Sequence, residues 1–173
     1  MNERKDAKKA NYCMIREMRV SDWDDMVQIY KQSLEKGDVT FRTECPSYQE
    51  WNDGHIKECR FVYELDGKVV GYTMIAPTSG RESYRGVVEV SIFVDENHTK
   101  KGIGTALLSK LMKEAEKEGY WTLYSAIFSV NEGSIKLHKK CGFRVIGTRE
   151  RIAKDKFGNW QSTTIMEWRN GNE

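Results

Sequence analysis

The chain has 173 residues, 39% hydrophobic and 31% charged, with a net charge of +2. That is enough for one compact domain with a substantial core, and its interspersed charges lack the basic stripe of a nucleic-acid binder. No apolar run approaches the ~18 residues that span a bilayer, and the charged residues 1–11 lack the apolar segment of a secretory signal.

We read residues 1–11 as a flexible tail ahead of a single domain over residues 12–170. Cys13, Cys45, Cys59 and Cys141 have neither zinc-knuckle nor redox spacing. They predict reduced thiols in a cytoplasmic protein, with no metal.

In chain order, Tyr12 to Met18 reads as a strand. Ser21 and Asp24 have capping-box spacing, and Trp23, Met26, Val27, Tyr30 and Leu34 continue as a helix that Gly37 stops. Pro46, Ser47 and Glu50 open a second helix. Phe61 to Leu65 and Lys68 to Ala76 form a hairpin about Asp66-Gly67. Val87 to Val94 alternates, with Val88, Val90, Ile92 and Val94 on one face and Glu89, Ser91 and Phe93 on the other.

The period then lengthens. Ile103, Leu107, Leu108, Leu111, Met112 and Ala115 make a helical stripe ended by Gly119. Trp121 to Ile127 is a strand, and Asn131 caps a short helix running to Lys140. Phe143 to Ala153 and Trp160 to Trp168 close the chain as a hairpin around Asp155-Lys-Phe-Gly158. This order predicts an α/β (α+β) domain, a mixed sheet with helices on both faces.

A Gly-rich turn between a buried strand and an amphipathic helix is a ready anion site, because the first helical N–H groups lack partners. The turn is Thr99-Lys100-Lys101-Gly102-Ile103-Gly104, followed by Thr105. It has neither the order of a Walker loop nor the third glycine of a dinucleotide fingerprint, which disfavours a nucleotide-binding protein.

The stretch from Val90 to Leu108 resembles the acetyl-CoA loop of the GCN5-related N-acetyltransferases (GNAT), Gln/Arg-x-x-Gly-x-Gly/Ala. Gly102 and Gly104 match, and Thr99 departs at the first position, where backbone amides are expected to compensate. A second block from Asn131 to Phe143, with Ser134, Leu137, His138 and Gly142, resembles the family's Asn-x-x-Ala/Ser…Leu-Tyr-x-x-x-Gly-Phe element. Thr40 to Pro46, Gln49-Glu50-Trp51, Arg81, Tyr84 and Glu89 are similar to the phosphinothricin acetyltransferases, which also carry a histidine at the position of His138. The likeness runs over roughly residues 15 to 168.

The resemblance implies a GNAT fold with splayed parallel strands that bind acetyl-CoA. It further implies direct acetyl transfer to the amine of a small amino-acid-like acceptor such as phosphinothricin, methionine sulfoximine or methionine sulfone, in a homodimer. Phe93 and Val94 would hold the pantetheine arm through their backbone. Thr99 to Thr105 would hold the pyrophosphate, and Asn131 and Ser134 the arm's far end. Phe41, Arg81 and Tyr84 are the implied acceptor residues; Thr78-Ser79 stands where the subfamily has Trp-Lys.

Glu89 is the candidate general base, since desolvation in its strand would raise its pKa. A structural carboxylate bound to Arg81, Arg85 or backbone is the alternative. His138 is placed to protonate the departing thiolate, to act as a second base, to orient a ligand, or to pack in the core. Trp160 lines the acceptor pocket or packs in the last strand, and His55 and His98 read as surface residues. Two rivals stay open: an N-acetyltransferase for another amine (aminoglycoside, polyamine or protein N-terminus) and a CoA-binding module without turnover.

Overall fold

The computed structural model describes residues 12–171, so the tail read over residues 1–11 lies outside the described residues. Seven strands form one sheet: β1 (Cys13–Glu17), β2 (Phe61–Leu65), β3 (Lys68–Pro77), β4 (Val87–Val94), β5 (Thr122–Phe128), β6 (Arg144–Lys154) and β7 (Trp160–Arg169). Their order across the sheet is β1-β2-β3-β4-β5-β7-β6. Every neighbouring pair is antiparallel except β4 with β5. Asp66 and Gly67 both take positive φ, 50° and 84°, as the tight β2–β3 hairpin requires.

The alternation of the central strands assigns each face its own helices. Phe61, Val70, Ile75, Val88 and Val90 pack against Ile103, Leu107, Leu108, Leu111 and Ala115 of α3 (Ile103–Lys117). Helix α4 (Glu132–Lys140) covers the same face beside it. On the opposite face Val62, Val69, Tyr72 and Met74 bury Met26 and Ile29 of α1 (Trp23–Lys36) and Trp51 of α2 (Tyr48–Gly54). At about 1.5–3 kcal/mol for each large apolar side chain removed from water, these two layers dominate the fold's stability. Among the described residues no helix is long and apolar enough to cross a membrane.

The capping box read at Ser21 is not formed. A 3-10 turn over Val20–Asp22 precedes α1, and Asp22 rather than Ser21 organises it. Its carboxylate accepts from the Arg19 N–H at 2.7 Å and from two nitrogens of Arg16 at 2.8 Å. Arg16 sits on β1 and reaches Asp22 and Glu64 together, so a cross-element ion pair replaces the local cap. The box at Ser47 and Glu50 is formed, with Glu50 N–H donating to Ser47 Oγ at 3.3 Å and Ser47 N–H to Glu50 Oε2 at 2.8 Å.

The parallel pair begins at a tight contact. Gly86 O accepts from both Trp121 N–H and Thr122 N–H, at 2.9 and 3.1 Å. A Cβ at Gly86 would lie 2.1 Å from the Trp121 ring, an aromatic plane that cannot yield as a flexible chain would. Gly86→Ala should therefore lower stability by about 1–3 kcal/mol, the usual cost of overpacking, measured as a drop in the thermal unfolding midpoint. An unchanged midpoint would show that Trp121 does not fix the start of the pair.

Candidate active site

Strands β4 and β5 pair only through Val87–Thr122, Val88–Leu123 and Glu89–Tyr124. Past Glu89 the two strands separate, leaving the β5-facing edge of β4 without a strand partner. Two clefts meet in this opening and share Val39, Ile92, Phe93, Asn131 and Ser134.

The larger cleft, about 720 Å³, is lined by Phe93, Val94, Thr99, Lys100, Gly102, Ile103, Gly104, Thr105, Asn131 and Ser134. All ten come from the sequence-predicted cofactor set. The eleventh, Lys101, points away and donates through Nζ to the Asn97 carbonyl at 3.0 Å.

Helix α3 starts at this cleft with no side-chain cap and no acidic residue in its first turn. Its first N–H groups are therefore open to an anion. Gly102 holds φ +81°, a left-handed conformation that glycine takes without strain. Gly104 is required for a different reason, since a Cβ there would stand 3.0 Å from Leu137 of α4. The Asn131 side chain caps α4, accepting from Ser134 N–H at 3.1 Å.

Lys36, His98, Lys136 and Lys140 also line this cleft and were not assigned from sequence. Lys36 pairs with Asp38, and Lys136 with Glu132. His98 is no free surface residue: it is half-buried, with Nδ1 2.8 Å from Asp95 Oδ1.

The smaller cleft, about 370 Å³, brings together Phe41, Glu89 and His138. Glu89 is half-buried, and its carboxylate has no hydrogen bond or ion pair with any described residue. Burial alone pushes its pKa up. Neither arginine weighed as a structural partner holds it: Arg85 bonds Glu82 at 3.1 Å, and Arg81 is exposed on the segment before β4. Its nearest ionisable strand neighbour is Tyr124; burial raises that phenol's pKa first, Arg149 opposes, and the Glu89 charge adds to the rise.

His138 is 1% exposed, with its ring edge-on to Phe143. Nδ1 lies 2.8 Å from the Ser134 carbonyl, which can only accept, so Nδ1 carries the proton. Nε2 is then an acceptor, 3.2 Å from Ser125 Oγ. Burial pushes this imidazole below its ordinary pKa, partly opposed by the Ser134 bond. It is therefore a neutral histidine with its lone pair turned toward a buried serine hydroxyl.

Phe41 reaches the cleft because its ring packs on Phe128 of β5, centroids 4.4 Å apart. Arg81 and Tyr84 are exposed and line neither cleft. Trp160 satisfies neither reading made for it: it is 57% exposed with Lys154 over its ring at 5.2 Å. His55, read as a surface residue, is half-buried and lines the small cleft.

Arg42 and Trp51, which belong to the stretch similar to the phosphinothricin acetyltransferases but were given no role, also line it, as do Met74, Ser125 and Thr163. Of the last three, Ser125 alone had a legible signal, a hydroxyl interrupting the apolar Leu123–Ile127 face of its strand. Among the described residues no group of three or more His, Cys, Asp or Glu is arranged to hold a metal ion.

Known proteins resemble this chain in sequence and fold. Residues 23–143 match the model of the Acetyltransferase (GNAT) family. The chain is 31% identical over 157 residues to a phosphinothricin N-acetyltransferase of Streptomyces viridochromogenes, covering 88% of this chain and 85% of that protein. It is 30% identical over 161 residues to an L-methionine sulfoximine/L-methionine sulfone acetyltransferase of Pseudomonas paraeruginosa, covering 88% and 92%. A Sinorhizobium meliloti phosphinothricin acetyltransferase solved in complex with AcCoA superposes with a TM-score of 0.84 at 28% identity, over 92% of this chain and 89% of that one. The match over residues 23–143 and the two relatives at 30% identity or above place this chain in the GNAT acetyltransferase family.

Proposed function

We propose that the chain transfers an acetyl group from acetyl-CoA to the amine of a small amino-acid-like acceptor, of the phosphinothricin, methionine sulfoximine or methionine sulfone type. The carrying observation is Glu89, an unpaired and desolvated carboxylate on the last residue pair before β4 and β5 part. It lines the acceptor cleft, on the same strand as Ile92 and Phe93, which both clefts share.

Acetyl-CoA supplies a thioester carbonyl carbon open to attack by an amine. The residues of the larger cleft fit it, with open N–H groups and Gly102 at the start of α3 facing the pyrophosphate. Lys100 and Lys140 add charge with no ion pair of their own, and the free edge of β4 at Phe93 and Val94 takes the pantetheine arm.

Glu89 takes a proton from the acceptor ammonium. The freed amine attacks the carbonyl carbon, and the C–S bond breaks. N–H groups of the β4 edge stabilise the oxyanion formed between these events. The departing sulfur, with a thiol-like pKa of about 8.5, leaves as a thiolate and takes up the second proton, which the attacking nitrogen sheds as the amide forms, so no acid from the protein is needed. That removes the need for His138 as a proton donor, which its Nδ1–H tautomer disfavours. His138 instead fixes Ser125 and so orients the ligands. Phe41 walls the acceptor.

The exposed apolar residues of the β6–β7 hairpin, Val145, Ile146, Ile152 and Phe157, support a homodimer, since β6 is an uncovered edge strand. Four free thiols support a cytoplasmic location.

Thiol release from acetyl-CoA across an amino-acid panel tests the proposal; tight CoA binding with no release for any amine would favour a binding module. Glu89→Gln should lose ~10²–10⁴-fold in kcat/KM, the usual worth of a general base, and should abolish the acid limb of the pH profile.

The same variant should be more stable than the wild type at alkaline pH. A carboxyl with a raised folded pKa favours the fold below its unfolded value, and that contribution is lost as pH rises through the folded one. The two unfolding midpoints should therefore converge near about pH 4. A Glu89→Gln protein less stable at high pH would mean the carboxylate is paired after all. His138→Ala should lower stability by about 2–4 kcal/mol through a buried cavity and slow turnover tenfold or more. Near-normal turnover would remove His138 from the reaction.

A further inference from the structure

Of the side chains lining the acceptor cleft, two bear a formal charge, Arg42 and Glu89. The charges are opposite, and neither has an ion pair or side-chain hydrogen bond with a described residue. Inside a protein a cation and an anion that share a cleft and avoid each other leave a dipolar space between them. A zwitterion fits such a space, whereas a polycation meets repulsion at one end.

Arg42 is presented by a fixed segment. Its backbone N–H donates to Thr40 Oγ1 at 3.2 Å, Thr40 Oγ1 lies 3.4 Å from Tyr30 Oη, and the neighbouring Phe41 packs on Phe128. The acid within reach of its field is Glu50, whose carboxylate is committed to the Ser47 N–H and hydroxyl, both at 2.8 Å. The guanidinium therefore stays free.

Arg60 strengthens the same end of the cleft. It is buried, and its nitrogens donate to four neutral oxygens: Ile56 O at 2.7 Å, Asn52 Oδ1 at 2.7 Å, Asn52 O at 3.0 Å and His55 O at 2.7 Å. It forms no ion pair with a described residue, although the Glu58 charge acts on it, and it sits over Trp51, 4.8 Å from the ring, which forms part of the cleft wall. His55 feels both arginines. Its Nδ1 lies 2.6 Å from the Trp51 carbonyl, which fixes the proton there, and its pKa is lowered first by burial and then by Arg60 and Arg42.

We propose that Arg42 is the anion anchor of the acceptor cleft: its guanidinium pairs with an oxyanion of the acceptor while the acceptor's ammonium faces Glu89. This rests on the acetyltransferase reading and adds the residue that selects amino-acid-like acceptors. It also moves the principal anion contact from Arg81, which lines neither cleft, to Arg42, an exposed residue on the wall of the acceptor cleft. The oxyanion has two sources, the α-carboxylate or a side-chain phosphinate, and guanidinium geometry suits both.

The experiment compares wild type, Arg42→Gln, Arg42→Lys and Arg81→Gln on three acceptors: methionine sulfone, its carboxamide and phosphinothricin. Arg42→Gln should raise KM for an oxyanion-bearing acceptor by about 10–100-fold, the scale of a charge-assisted pair. Its effect on the carboxamide should stay within about threefold, and Arg42→Lys should recover part of the loss. A loss on methionine sulfone assigns the carboxylate; a loss confined to phosphinothricin assigns the phosphinate. Equal losses on all three acceptors, or selective loss in Arg81→Gln alone, overturn the assignment. Absence of thiol release by the wild type with every acceptor overturns the acetyltransferase reading beneath it.

Discussion

Everything that makes this molecule a candidate catalyst follows from the short parallel pairing of β4 and β5. Three residue pairs hold the strands together, and beyond Glu89 they part. A longer ladder would satisfy the edge of β4 and close the opening. A shorter one would leave Glu89 unplaced relative to Tyr124. Stopping where it does, the pairing leaves backbone N–H and C=O groups needing partners and provides a cleft in which a ligand can supply them. Gly86 and Trp121 set the point from which the strands diverge.

The two helical layers turn that opening into two different environments. On one face α3 presents an uncapped start beside lysines, which suits a polyanion. On the other, the segment between α1 and α2 brings Phe41 and Arg42 to the cleft that Glu89 lines. Desolvation then sets the chemistry: it leaves Glu89 protonated more readily than an ordinary carboxylate and His138 less readily than an ordinary imidazole. Both shifts come from burial rather than from a charged partner, so a ligand that displaces water from the cleft reinforces them.

The regular elements were legible because each boundary has local chemistry. Asp66-Gly67, the Ser47–Glu50 box, Asn131 and Gly37 are turn or cap residues doing what their side chains and φ preferences dictate. The face of Glu89 followed from strand alternation alone. Features made by distant partners were not legible. Asp22 displaced the cap read at Ser21 because Arg16, on another element, reaches it. His55 and Arg42 sit in segments without periodicity, so only the folded path of the chain places them in the cleft. Lys101 and Lys100 are equivalent in sequence, yet a bond to the Asn97 carbonyl turns one away. The exposure of Trp160 likewise reflects an uncovered sheet edge, which composition does not reveal.

The central claim is that one acetyl group passes directly from CoA to an acceptor nitrogen in the opening between β4 and β5. Mass spectrometry of the acceptor after incubation with carbon-13-labelled acetyl-CoA tests it most directly. The predicted result is one labelled acetyl group on the amine for each CoA thiol released. Thiol release without a labelled acceptor, or a label retained on the protein, would contradict it.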